Sequence, residues 1–189
     1  RAYIASVEEA KESFSHIFMQ SKFMTSMITQ LLELARLDKM NNLEKEVFDI
    51  SQLMRDLAND YRIICDNRNI HIVSQIAEHL TIEGNPLLLR RAVGNLVDNA
   101  IKFTTSTVTI SPAKLGPSGV RISIKDDVPG LDQEELTKIW DRMYQTESSR
   151  NKAVNTGIGL GLYFVSNVIN LHEGKVYAES RPYDETSFI

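Results

Sequence analysis

With 189 residues, 42% hydrophobic and 24% charged, the chain has the composition of one folded domain plus an appendage, which excludes general disorder. A net charge of -4 provides no basic field for a nucleic-acid backbone, so nucleic acid is excluded as the expected partner and any phosphate chemistry must rest on local groups. The single cysteine, Cys65, lies in the apolar run 61–65 and has no partner for an internal disulfide, which fits a reducing, cytosolic setting. No stretch approaches about 18 uncharged apolar residues. The N-terminus lacks the layout of a secretory signal, and both ends are expected to be cuts in a longer protein that carries any membrane anchor elsewhere.

Residues 1–38 contain neither Gly nor Pro, and their apolar residues repeat with a heptad. Val7, Phe14, Ile28 and Ala35 fall on one series, interrupted only by Ser21, and Tyr3, Ala10, Ile17, Met24 and Leu31 fall on the other. That pattern predicts a coiled-coil or bundle seam on a helix of roughly 57 Å. Such a helix is too long for the rest of the chain to cover, so a partner helix is expected; a helix lying wholly on its own domain is the alternative. Asn41 and Asn42 end the pattern and divide the chain into 1–42 and 43–189.

Beyond that break, strand and helix signals alternate. Residues 47–50 read as a strand, with Asp49 or Ser51 capping a helix over 52–67. Strands are predicted at 70–76 and 80–83, and Asn85 with Pro86 starts a helix that runs to Phe103. Residues 108–113 and 120–125 form a predicted hairpin across the turn-rich 115–119. A polar stretch over 146–156 leads into a glycine-rich turn, a helix to Leu171, and strands at 175–179 and from 187 onward. This order predicts an α+β, two-layer sandwich of mixed sheet against helices rather than a doubly wound parallel fold.

Three stretches carry chemistry. Asn95, Asn99, Lys102 and Phe103 lie at i, i+4, i+7 and i+8, so two amides, an ammonium and an aromatic ring share one helical face. Amide oxygens suit magnesium, Lys102 suits phosphate oxygens and Phe103 can stack on a base, although a plain solvated face accounts for the pattern equally well. Asp126 at a strand end, followed by Pro129 and Gly130, can accept a hydrogen bond from an adenine amino group, or be one acid in an Asp-rich turn. Gly157, Gly159 and Gly161 enter a helix and can cradle phosphates, or form a loop without a ligand. Their spacing, and the polar segment rather than strand before them, do not fit a dinucleotide-binding fingerprint.

Order and spacing together resemble the catalytic ATP-binding domain of sensor histidine kinases. Residues 95–103 look like the N box of that family, 126–131 like the G1 box, 139–144 like the F box and 157–162 like the G2 box. Residues 32–37 resemble the end of the second helix of the dimerisation and histidine phosphotransfer domain, and Gly84-Asn85-Pro86 and His172-Glu173-Gly174 fit the same family.

The resemblance implies the Bergerat ATP-binding fold, with ATP under a lid at 146–156 and transfer of its γ-phosphoryl group to a histidine. By that match Asn99 is the magnesium ligand with Asn95 beside it, Lys102 and Arg150 contact phosphates, and Asn95, Lys102 and Arg150 serve the reaction. Phe103 and Asp126 hold adenine, and Gly130, Tyr144, Gly157, Gly159, Leu160, Gly161, Leu162 and Thr186 complete the nucleotide site. It further implies a homodimer through the N-terminal helix, a response-regulator receiver domain as phosphoryl acceptor, and a cytoplasmic place within a membrane-anchored sensor. His16 lacks the acid and proline that follow a phosphoacceptor in this family, so the acceptor is expected on a segment absent from this chain. Asn95 stands where related hydrolases carry a Glu; an amide cannot take a proton from water, which argues against an ATP-hydrolysing clamp. Val128 in place of the first G1 glycine, Gln145 in place of an arginine, and Asp127 in place of Asn, adding charge beside the pocket, leave a second reading: a degenerate kinase that acts as an interaction module.

Overall fold

The computed structural model describes residues 7–40, 42–116, 119–127, 130–146, 157–181 and 185–189. Helix α1 (Val7–Asp38) runs without interruption and ends where the periodic pattern ends. Most of its heptad residues stand in solvent: Val7 and Phe14 are each 73% exposed and Ile17 is 65% exposed. Tyr3 lies outside the described residues. Only the last turns of α1 meet the rest of the chain, through the buried Leu34 and Leu37. Leu31 of the heptad seam also packs against the core, but the seam upstream of it is exposed, so the helix does not lie wholly on its own domain.

Strand β1 (Glu46–Asp49) leads straight into helix α2 (Ile50–Asp66), because the Asp49 carboxylate accepts a hydrogen bond from the Gln52 N–H at 3.1 Å and caps its first turn. Strand β2 (His71–Ser74) follows, and strand β3 (Thr81–Gly84) pairs antiparallel with β1. Both strands of that arm lie where the sequence predicts them, at 47–50 and 80–83, and only their pairing lacks a local signal. Asn85 caps helix α3 (Pro86–Phe103) by accepting from the Leu88 N–H at 3.0 Å, with Pro86 in the first turn. Strands β4 (Thr107–Leu115) and β5 (Gly119–Asp126) form the expected hairpin. Helix α4 (Gln133–Lys138), helix α5 (Gly161–Leu171) and strands β6 (Ala178–Arg181) and β7 (Glu185–Phe188) complete the chain. The main sheet has the order β2-β4-β5-β7-β6, with β2 and β4 parallel and the other pairs antiparallel.

Val108, Ile110 and Ile124 on one face of this sheet and Val97, Val165 and Val168 on α3 and α5 are fully buried, forming the two-layer α+β sandwich. Two elements differ from the expected boundaries. The sixth strand covers Ala178–Arg181 rather than 175–179, and the turn before it contains a left-handed residue, Glu173 (φ 60°). Helix α4 was not predicted, although Asp132 and Glu135 form a capping box at its start.

His172 fastens α5 to the start of α3. Its Nε2 accepts from the Asn85 N–H at 2.9 Å, which leaves Nδ1 as donor to the Val168 carbonyl at 2.7 Å. A Cβ on Gly84 would stand 2.9 Å from the ring, so glycine is required for this approach. Burial pushes the His172 pKa down and Lys45 adds to that, while the Val168 carbonyl works the other way. The native state therefore resists a proton that the unfolded chain accepts near pH 6.5. His172 makes no demand on stability above that pH. Below it, stability is expected to fall by at most about 1.4 kcal/mol per pH unit until the depressed native pKa is reached. Chemical unfolding at pH 7.5 and 5.5 checks this, and His172→Gln should remove that part of the pH dependence.

Candidate functional site

Helix α3, the ends of β5 and β7, and the turn entering α5 enclose a cavity of about 270 Å³. The Asn85 cap and the apolar side of α3, which buries Val93, Leu96, Val97 and Ala100, fix the rotation of the helix. Asn95, Asn99, Lys102 and Phe103 consequently all line the cavity, and Lys102 Nζ lies 4.8 Å from the Phe103 ring centroid. Asp98, also on the wall, sits three residues after Asn95 and four before Lys102, a helical spacing that could have found it. Desolvation at the α2–α3 junction raises the Asp98 pKa, against the hydrogen bond from Tyr61 and the charge of Arg68.

Opposite α3 lie Asp126 and Thr186, each only 5% exposed and paired in register across β5 and β7. Thr186 Oγ1 is 3.2 Å from Ser180 Oγ, which accepts the Leu131 N–H at 2.8 Å and so ties the segment after β5 to β6. Leu131, Ile139 and Phe188 supply apolar wall, and the Trp140 ring meets Phe188 edge-on at 6.2 Å. These apolar contacts come from chain segments far apart, so no local pattern announces them.

Tyr144, Gly157, Gly159, Gly161 and Leu162 form the third wall. The three glycines are there for different reasons. At Gly159 φ is 74° and a Cβ would come within 2.4 Å of the Tyr144 carbonyl oxygen, so the backbone itself demands glycine. At Gly161 a Cβ would meet Asn95 Oδ1 at 3.7 Å, an ordinary contact that would merely fill cavity space. At Gly157 nothing lies within 4 Å. The start of α5 has no side-chain cap for its first N–H groups, and its first two residues, Gly161 and Leu162, line this end of the cavity. Gln30, Gln145, Thr146 and Ile158 also contribute to the walls.

Two predicted site residues do not reach the cavity surface. Gly130 is not among the residues that line it, and Leu160, 1% exposed, lines a smaller crevice beneath the α5 turn instead. Arg150, the rest of the predicted lid over 147–156, Val128 and Pro129 lie outside the described residues.

A family profile described as histidine kinase-, DNA gyrase B- and HSP90-like ATPase matches residues 84–189, more than half of the chain. The chain belongs to this family. Its similarities point to the sensor-kinase branch: it is 31% identical to sensor histidine kinase TrcS of Mycobacterium tuberculosis over 174 residues, covering 89% of this chain and 34% of that protein. It is 30% identical to sensor histidine kinase CpxA of Escherichia coli over 183 residues, covering 92% of this chain and 38% of that protein. The chain thus spans about a third of the length of these curated relatives. Full-length ShkA, crystallised in complex with AMPPNP, shares the fold with a TM-score of 0.80 at 24% identity over 97% of this chain and 38% of that chain. Histidine kinase ThkA, in complex with the response regulator protein TrrA, gives a TM-score of 0.78 at 21% identity over 99% of this chain and 52% of that chain. The two-layer sandwich is therefore the Bergerat fold of a two-component histidine kinase.

In this histidine kinase ATPase domain, the charge of Asp127 is tied into the fold. Its carboxylate turns away from the cavity and accepts from the Ser106 hydroxyl at 2.6 Å, the Thr104 hydroxyl, the Thr105 N–H at 2.7 Å and the Thr107 N–H at 3.1 Å. Desolvation disfavours this charge, but the bonds from Ser106, Thr104 and the Thr105 and Ser106 backbone outweigh it and hold the carboxyl well below the usual range. Asp127 thereby fastens the end of α3 to the end of β5, next to Phe103 and Asp126. Gln145 is also engaged: its amide donates to the Gly157 carbonyl.

Among the described residues there is no cluster of three His, Cys, Asp or Glu that could hold a metal ion. The hard oxygens of Asn95 and Asn99, with Asp98 nearby, do fit a magnesium ion that takes most of its ligands from phosphates and water. No helix of the described residues is long and apolar enough to cross a membrane.

Proposed function

We propose that the chain binds Mg-ATP in this cavity and, within a larger cytoplasmic sensor-kinase assembly, gives the γ-phosphoryl group to a histidine for onward transfer to a receiver-domain aspartate. The convergence of Asn95, Asn99, Lys102 and Phe103 on one wall with Asp126 and Thr186 on the other carries this reading. Asp126 accepts from the adenine amino group with Thr186 beside it, while Phe103 and the apolar wall of Leu131, Ile139 and Phe188 exclude water from the base. Tyr144 and Leu162 close the sides. Lys102, the α5 N-terminus at Gly161 and Arg150 neutralise the phosphates. Asn99 and Asn95 would hold magnesium, which supplies charge neutralisation on the phosphates when bound.

The transfer forms a bond from the histidine nitrogen to the γ-phosphorus and breaks the bond from that phosphorus to the β–γ bridging oxygen, which leaves with ADP. Positioning and electrostatics account for the rate, since no covalent group of this domain takes part. The AMPPNP complex of ShkA and the regulator complex of ThkA support the nucleotide and the partner, and the exposed seam of α1 supports a dimer. Engagement of Asp127 and Gln145 in the fold weighs against a degenerate pocket.

Asn95 offers an amide where a hydrolase needs a base, so ATP is kept for the histidine. The chain incubated with Mg-ATP is expected to release phosphate at the background rate. Sustained release without any histidine acceptor would replace this reading with that of an ATP-driven clamp.

A further inference from the structure

We propose that Gln30 of α1 is part of the nucleotide site, at its phosphate end, so that nucleotide affinity depends on α1 being docked. This rests on the ATP-binding reading above. Gln30 is half-buried and belongs to both the main cavity and the crevice behind it, and both spaces are also bounded by Asn95 and Gly161. That places it at the α5 end, away from Asp126 and Thr186.

The docking that holds it there is specific. One turn further along α1, the Glu33 carboxylate pairs through both oxygens with both terminal nitrogens of Arg91 on α3. The Arg91 guanidinium lies 5.1 Å from the Phe164 ring centroid on α5. Leu34 and Leu37, at 2% and 5% exposure, add apolar contact. Gln30, Glu33, Leu34 and Leu37 lie at i, i+3, i+4 and i+7 and thus share one face. A bidentate pair with Glu33 only 20% exposed fixes translation as well as rotation of the helix, which sets the amide of Gln30 beside Asn95 rather than a turn away. The Gln30 amide N–H groups can donate to phosphate oxygens without changing the charge of the site. The heptad seam upstream of Leu31 stays exposed, so this docking and helix pairing can coexist.

Titration of the intact chain with AMP-PNP and with AMP, in magnesium, tests the assignment. Gln30→Ala is expected to weaken AMP-PNP about three- to tenfold and to leave AMP unchanged. Glu33→Arg or Arg91→Glu alone should give the same selective loss, and the two together should recover most of it. Unchanged AMP-PNP binding by Gln30→Ala, with wild type binding normally, would overturn the proposal, as would equal weakening of AMP. Absence of AMP-PNP binding by the wild type would bring down the ATP-binding reading itself, and this proposal with it.

Discussion

Asp126→Ala is expected to weaken ATP binding ten- to a hundredfold while the domain stays folded. The carboxylate is 5% exposed at the last residue of β5, held in register between Val108 and Thr186. A hydrogen bond to a charged group in such a site is worth about 1.5–3 kcal/mol, which sets the size of the loss. The substitution leaves the apolar core between sheet and helices untouched, so the domain is expected to remain folded. Titration calorimetry beside a thermal melt separates the two effects. Binding that survives the substitution unchanged would remove Asp126 from the adenine site.

Gly159→Ala should be the most damaging of the three glycine substitutions. A left-handed backbone costs an L residue about 1–2 kcal/mol, and here the added Cβ would also stand 2.4 Å from the Tyr144 oxygen and 2.7 Å from the Met143 carbonyl carbon. Those neighbours are backbone, and the Met143 N–H is bonded to the Gly159 carbonyl at 2.9 Å, so neither side can yield without breaking the join between the F-box region and the α5 turn. A loss of at least about 2 kcal/mol, or a melting-point drop of about 4–8 °C, is expected together with loss of nucleotide binding. Gly161→Ala should differ in kind: it meets only ordinary contact with Asn95, so the protein stays as stable and loses nucleotide because the Cβ occupies its space. Gly157→Ala should leave stability unaltered. Equal stability of Gly159→Ala and Gly157→Ala would contradict this account of the turn.

The parts of the fold that were legible in the sequence are those written in short-range chemistry. Asp49 before α2, Asn85-Pro86 before α3 and the turn-rich 115–119 between β4 and β5 each act on neighbours a few residues away, and each is found where expected. The face of α3 was legible for the same reason, since helical geometry alone brings Asn95, Asn99, Lys102 and Phe103 to one side. Asp98 obeys the same geometry and was passed over, as was the capping box of α4.

What the sequence hid depends on tertiary packing. Nothing near Gln30 marks it as a wall of the cavity; its place follows from a pair between Glu33 and Arg91, 58 residues apart. The ties that hold Asp127 in the fold were hidden because its partners, Thr104 to Thr107, lie some twenty residues upstream across the α3–β4 turn. Phe188 and the β1–β3 arm likewise depend on strands brought together from distant segments.

The central claim is that this cavity is an ATP site served by magnesium. It is tested most directly by titrating the intact chain with AMP-PNP, with and without magnesium, alongside Asn99→Ala. The account predicts saturable binding that magnesium strengthens in the wild type and leaves nearly unchanged in Asn99→Ala. No binding at millimolar nucleotide by a folded chain would contradict it, and would favour the degenerate kinase that acts through its helix.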